Sequence, residues 1–391
     1  MKTYFSYFLF LFFTAVLTYN GQSQDVHFSQ FYATPATLNP ATTGNFRGDY
    51  RVSFIYRRQY QAVVDLYEDG GEYHRGEVEP TNIDQRKPFK TFNIAFDIPI
   101  YLGEHKFGLG VKMLHDETGG VVLHSSEGQV ERKLTTTQIS GSLSYLKKVN
   151  GHKLAIGFQP SYISKKTGAT GPPKQADTWM DKKESNEPPK WRMLEPSGSE
   201  NEASPLENIP KDLINYFDFN AGVMWSKDFG KFEPVVGLAV YHIVNPKNSL
   251  IGDNKSRLRN RNVISFGGTY DLNTQLFLMP NVLFMIHRRA YDLVYGLNIG
   301  YNLEDVYLNK KIKFNYIYFG PQIRHSINNF DALILTIGAN LKQWNVGLSR
   351  DITLSRLQTG TNSQNGAWEI SVIFIKPETK LKKAAIPCER Y

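Results

Sequence analysis

Apolar and polar residues alternate with a period of two through most of this chain. Phe92, Ile94, Phe96 and Ile98 interleave with Asn93, Ala95 and Asp97, and Leu154, Ile156 and Phe158 with Ala155, Gly157 and Gln159. Phe217, Phe219, Ala221, Val223 and Trp225 alternate with Asp218, Asn220, Gly222 and Ser226. Leu293, Tyr295, Leu297, Ile299 and Tyr301 oppose Asp292, Gly296, Asn298, Gly300 and Asn302, and Trp368, Ile370, Val372 and Phe374 oppose Glu369 and Ser371. Successive side chains of a strand point to opposite faces, so each run has one apolar face and one small or polar face. The pattern predicts about fourteen strands, near 46–58, 89–100, 106–115, 132–146, 152–165, 213–226, 231–244, 259–270, 274–287, 291–303, 311–324, 330–340, 343–352 and 366–376. Many have the ~9–11-residue length of a tilted membrane-spanning strand.

The connections alternate too. Those after even-numbered segments are short: 102–104, 147–151, 227–230, 271–273, 304–310 and 341–342. Several after odd-numbered segments are long: 59–88, 116–131, 166–212, 245–258 and 353–365. Short turns on one side and long loops on the other characterise an outer-membrane barrel, with the short side periplasmic. A soluble sandwich or propeller predicts no such regularity. The fold expected is therefore all-β, a transmembrane antiparallel barrel of about 14 strands over 46–376, with both chain ends on the periplasmic side. The longest loop, 166–212, holds seven Pro among many Ser, Glu and Lys and reads as an extracellular excursion, not a domain.

Ahead of the strands, Lys2, an apolar run at 4–17 and the small residues Gly21 and Ser23 have the order of a secretory signal peptide, 1–23, cut after Ser23 to leave Gln24. Aromatics make up 13% of the chain, Gly numbers 31, and mean hydropathy is −0.38, a profile that suits apolar surface spread over alternate residues. Between leader and strands, 24–45 is too polar to span a membrane and too rich in Pro and Thr for a helix, yet carries Phe28, Phe31 and Tyr32. It is expected to dock into what the strands build. A basic tail, 377–391, closes the chain and holds its single cysteine, Cys388.

Chemistry is sparse. No hydrolase elbow, zinc-protease, P-loop or redox-cysteine motif occurs, so no catalysis, metal or cofactor is expected. Asp65, Glu68, Asp69, Glu72, Glu77 and Glu79 in the first long loop have carboxylates suited to a hard cation, but do not follow a calcium-loop pattern. A net charge of +8 permits contact with anionic lipid. Arg57, Arg58, Arg257, Arg259, Arg261, Arg288, Arg289, Arg324 and Arg350 all fall near the loop-side rim in this topology, and Arg257, Arg259 and Arg261 share a face if they lie on a strand. Guanidinium groups grip phosphate in pairs of bonds. One reading is an outer rim that binds lipopolysaccharide phosphate or an acidic partner; the other is ordinary pairing with loop carboxylates. Nucleic-acid binding has no motif.

Several stretches together resemble the PorP/SprF family of type IX secretion system membrane proteins: DVHFSQFYATPATLNPATTG at 25–44, FIYRRQY at 54–60, FGLGVKMLHDETG at 107–119, LAIGFQPSY at 154–162, VGLAVYHI at 236–243, NVGLSRDITLSRLQ at 345–358, GAWEISVIF at 366–374, and the closing IPCERY. Departures are NPATTG, where the family often has an aromatic after NPA, and the 166–212 insertion. The resemblance implies an outer-membrane barrel of a Gram-negative bacterium that serves secretion of cell-surface proteins, in places linked to gliding motility. Its implied partners are outer-membrane lipid and lipopolysaccharide, other type IX components and a secreted surface protein. It also implies a distant likeness to fatty-acid-transporter barrels, whose N-terminal segment plugs the lumen with an NPA-like motif. Carried onto this chain, that singles out Asn39, Pro40 and Ala41, with Phe28 upstream. Asn before Pro is biased to extended geometry, which agrees. A periplasmic tether with no plugging role stays open at this point, as do a passive or fatty-acid-type uptake channel and an adhesive surface barrel.

Overall fold

The computed structural model describes residues 26–59, 83–86, 88–103, 105–118, 121–125, 128–170, 213–248, 257–287, 290–303, 306–308, 312–326, 329–355 and 365–379. Fourteen antiparallel strands form the wall. They are β1 (Tyr50–Gln59), β2 (Phe89–Leu102), β3 (His105–Glu117), β4 (Gly128–Val149), β5 (His152–Thr170), β6 (Leu213–Lys227) and β7 (Phe232–Tyr241), then β8 (Arg261–Asp271), β9 (Leu276–His287), β10 (Ala290–Asn302), β11 (Ile312–Ser326), β12 (Asn329–Leu341), β13 (Trp344–Thr353) and β14 (Asn365–Lys376). Each pairs with its sequence neighbours, and β1 closes the ring by pairing with β14 from Tyr50↔Lys376 to Gln59↔Ala367. Closure leaves no exposed edge, so backbone polar groups are satisfied across a hydrocarbon layer.

The alternation places side chains as expected. Ile94, Phe96, Phe158, Phe217, Phe219, Val223, Ile299, Trp368 and Ile370 face outward and are exposed, while Asn93, Asp97, Gln159, Asp218, Asn220, Asn298, Glu369 and Ser371 face inward and are buried. Short turns fit left-handed residues: β4 and β5 are joined by Asn150 (φ 49°) and Gly151 (φ 79°), both in the region a tight hairpin needs.

The structure differs from the sequence expectation at the loop side. β4 and β5 run beyond 132–146 and 152–165, staying paired up to Glu131↔Thr170. Two more short strands, Ile83–Arg86 and Val121–Ser125, add to this projection within connections read as strand-free, and a third, Tyr307–Leu308, sits in the 304–310 turn. These pieces are two to five residues long and VVLHS at 121–125 has apolar residues on both faces, so no period-two contrast marks them. β7 stops at Tyr241, short of 244, because His242 turns left-handed (φ 60°). The expected signal peptide 1–23, the acidic residues 65–79, Arg288, Arg289, most of 166–212 and Cys388 lie outside the described residues. Among the described residues no helix is long and apolar enough to cross a membrane, and no group of three metal-capable side chains gathers.

Candidate functional site

Residues 26–49 run down the inside of the barrel. Their first residues contact Arg57, Asp351 and Glu369, near the loop-side ends of β1, β13 and β14; Phe46 and Asp49 meet Lys106 and Lys376 at the turn side. The sequence count placed this segment at the periplasmic end, and the structure folds it back through the lumen. Although Pro and Thr exclude a long helix, they suit short turns: a 3-10 turn Phe31–Ala33, one α-turn α1 (Pro35–Leu38) and a second 3-10 turn Pro40–Thr42. Pro35 and Pro40 occupy first-turn positions, where the missing N–H costs nothing.

Asn39 joins the last two turns. Its N–H closes α1 on Pro35 O (3.0 Å), and its Oδ1 accepts the Ala41 N–H at 2.9 Å as an N-cap. Its Nδ2 donates outward to Val223 O (2.9 Å) and Leu238 O (3.2 Å) of β6 and β7. The wall makes room by lacking side chains. A Cβ added at Gly157 would collide with the Pro40–Ala41 peptide, one at Gly222 with Asn39 Oδ1, and one at Gly108 with Thr43 O. Asn39, Pro40 and Ala41 are all buried, as is Phe28.

Charged groups hold the segment at both ends. At the loop side, the carboxylate of Glu369 accepts the Ser29 N–H (2.7 Å) and the Gln30 N–H (2.8 Å), while Ser29 Oγ lies 2.7 Å from Asp351 Oδ1. Arg57 bonds Glu369 (2.5 Å) and Asp351 (3.1 Å), and Arg324 bonds Asp351 (2.8 Å) and Ser29 Oγ (2.6 Å). Two arginines and two carboxylates from β1, β11, β13 and β14 thus balance around Ser29, each at most 3% exposed. Nearby, His27 Nε2 lies 3.3 Å from Asp292. At the turn side, Arg51 grips Asp97 with two bonds (2.9 and 2.7 Å) and donates to Thr42 O (3.1 Å), while Asp97 Oδ2 accepts the Gly44 N–H at 2.7 Å. Below it, hydrogen bonds from Thr379, the hydroxyl first, hold the Asp49 carboxyl below its usual range and tie the start of β1 to the chain after β14.

Between the anchors, Phe31 packs with Ala239, Val263, Leu283, Val294 and Ile334, and Phe28 with Ile55 and Leu114. The inward face is therefore polar with apolar sockets, because the segment's aromatics need partners inside. Gln159 bridges wall and segment, donating to Ala36 O (3.0 Å) and accepting from buried Lys112 (3.2 Å).

The arginines expected along one rim separate. Arg57 and Arg324 face the lumen and are paired as above, since the alternation that turns Tyr56 and Ile323 one way turns these the other. Arg261, the first residue of β8, is buried with its guanidinium 4.3 Å from the Tyr241 ring centre; Arg257 and Arg259 precede the strand and are exposed, Arg257 donating to Asn245 O (3.2 Å). The three do not share a face, because residues 257–260 are not in the strand. Arg51, Asp97, Asp351 and Glu369 were not singled out from the sequence. Their signal is a charge on the inward, polar face of a strand, where lipid-side sequence reasoning has no use for it.

A closed fourteen-stranded antiparallel wall with an apolar outer face and a polar, filled interior defines an outer-membrane β-barrel. The chain belongs to the PorP/SprF family: the family model for type IX secretion system membrane protein PorP/SprF matches residues 20–374. It is a membrane component of type IX secretion in the outer membrane, with other secretion components as its partners, and that family is one of secretion proteins rather than enzymes. No curated protein matches the sequence. Among solved structures, the chain is similar to the toluene transporter TbuX of Ralstonia pickettii (11% identity, 88% of this chain and 94% of that one, TM-score 0.47). It is also similar to a FadL homologue of Pseudomonas aeruginosa (13% identity, 88% and 94%, TM-score 0.42) and to CdiB from Escherichia coli (6% identity, 83% and 63%, TM-score 0.43). The fold assignment rests on the strand order itself.

Proposed function

We propose that this barrel holds or hands on a secreted surface protein, a gliding adhesin being one such client, and that its lumen is plugged by residues 28–44 and passes no solute. The observation that carries this reading is the double anchoring of the segment, by Arg57, Arg324, Asp351 and Glu369 at one end and by Arg51 and Asp97 at the other, with Asn39 seated on the wall between them. A solute path needs an open lumen, and buried ion pairs that satisfy a segment's own backbone groups oppose its leaving. The client is then met at the loops or the rim. Exposed Arg257 and Arg259, with Arg58 and Arg350 also exposed on that side, would touch lipopolysaccharide phosphate there.

The test compares a gene-deletion strain with strains restored by the full chain or by an R257E/R259E variant, reading the surface proteome and the proteins and lipopolysaccharide copurified with the barrel. The deletion is expected to remove one or a few surface proteins, which copurify with the restored barrel; the double variant retains less lipopolysaccharide. An unchanged surface proteome with slowed uptake of an apolar solute would instead favour the channel.

A further inference from the structure

On the membrane face of the wall, two cross-strand rows run side by side over four strands. One row is Tyr145, Ile156, Val223 and Leu238; the other is Lys147, Leu154, Trp225 and Val236. The residues between the rows, Ala155 and Met224 among them, point into the lumen and are buried, so the rows flank a furrow of about 350 Å³.

Four strands at ~4.8 Å spacing span about 15 Å, and with strands tilted by ~40° the rows gain about 10 Å of depth in a ~30 Å hydrocarbon core. The furrow also has a direction. Along one row, Lys147 lies two residues from the short-turn end of β4, whereas Val236 lies four residues from that of β7. It therefore rises from the periplasmic interface towards mid-membrane. Its β4 end carries a cation and an aromatic side chain of the kind found at an interface, Lys147 and Tyr145, and its β7 end only Val236 and Leu238.

Charge points the same way. Lys153 is paired with Glu233 (2.5 Å), and Lys227 Nζ lies 3.0 Å from His152 Nε2. Lys147 and Lys148 are exposed and make no ion pair among the described residues. We propose that this furrow is a binding site for one glycerophospholipid of the inner leaflet, an acyl chain lying between the two rows and the phosphate held by Lys147. The site is independent of the luminal segment and of the secreted client.

The full-length protein, reconstituted in phosphatidylglycerol-containing nanodiscs and returned to mild detergent, is tested for retained phospholipid by native mass spectrometry. One phospholipid per barrel is expected. Lys147→Glu is expected to lower retention about tenfold, the scale of one charge-assisted contact, while Lys147→Arg keeps it. Ile156→Trp, which fills the furrow, is expected to lose it as well. Ile337→Trp, at an exposed outward position of β12 away from the furrow, leaves it unchanged. Heat-modifiable gel mobility confirms that each variant is a closed barrel. Equal retention by all variants, equal loss in Ile156→Trp and Ile337→Trp, or no retained lipid in the parent protein would each overturn the site in favour of ordinary annular lipid.

Discussion

Glu369→Gln is expected to destabilise the barrel by about 3–5 kcal/mol, the range for breaking a buried ion pair by removing one partner. Each Glu369 oxygen accepts a different backbone N–H of the luminal segment, from Ser29 and from Gln30. An amide in that place must turn its NH₂ towards one of those donors, so a contact becomes a repulsion. The substitution also strips Arg57 of its Glu369 partner and removes one negative charge from a cluster whose four members are each at most 3% exposed. The urea midpoint in micelles should fall, and residues 26–30 should become protease-sensitive before the strands unfold. Replacing both Arg57 and Glu369 by Met should cost less than Glu369→Gln plus Arg57→Met, because neither charge is then stranded. A Glu369→Gln midpoint within about 0.5 kcal/mol of the parent, as for an ordinary surface change, would show that the cluster does not hold the segment.

Gly157→Val should expel the Asn39–Pro40 turn from the wall. The added Cβ collides with main-chain atoms of Pro40 and Ala41, and neither that peptide nor the β5 backbone opposite can rotate away as a long side chain would. Overpacking alone costs about 1–3 kcal/mol. Here the segment must also lift, which breaks the Asn39 bonds to Val223 O and Leu238 O. Gly141 on the neighbouring β4 has nothing within 4 Å of its added Cβ, so Gly141→Val is the control. With Ala36→Cys as a reporter in a Cys388→Ser background, maleimide labelling should be slow in the parent and the control and fast in Gly157→Val. Equal rates in all three would mean that the turn does not depend on this wall.

What the sequence made legible is the part of the fold that repeats. Alternation reads well where one face meets lipid and the other does not, and it located the fourteen strands and their inward Asp97, Gln159 and Glu369. It fails where that contrast vanishes, in the loop-side extensions of β4 and β5 and at residues 259 and 260, expected in a strand that begins at Arg261. The luminal contacts were hidden for a different reason. Ser29 meets Glu369 across 340 positions of sequence, and no local pattern announces a pair at that distance. Arg57 illustrates the gap: its strand and its height in the wall are readable in the sequence, but its partners Asp351 and Glu369 lie about 300 positions away. Asn39 and Pro40 were marked only by a family resemblance and a backbone preference; that Asn39 binds the wall through carbonyls beside glycine follows from the geometry alone.

The central claim, a barrel whose lumen is stopped by its own N-terminal segment, is tested most directly by single-channel recording in planar bilayers. The full chain should give no conductance steps. Deletion of residues 28–44 should give steps of stable, voltage-independent size, with the barrel still heat-modifiable on gels. Open steps from the full chain, of the same size as those from the deletion, would contradict the account and return the protein to the channels.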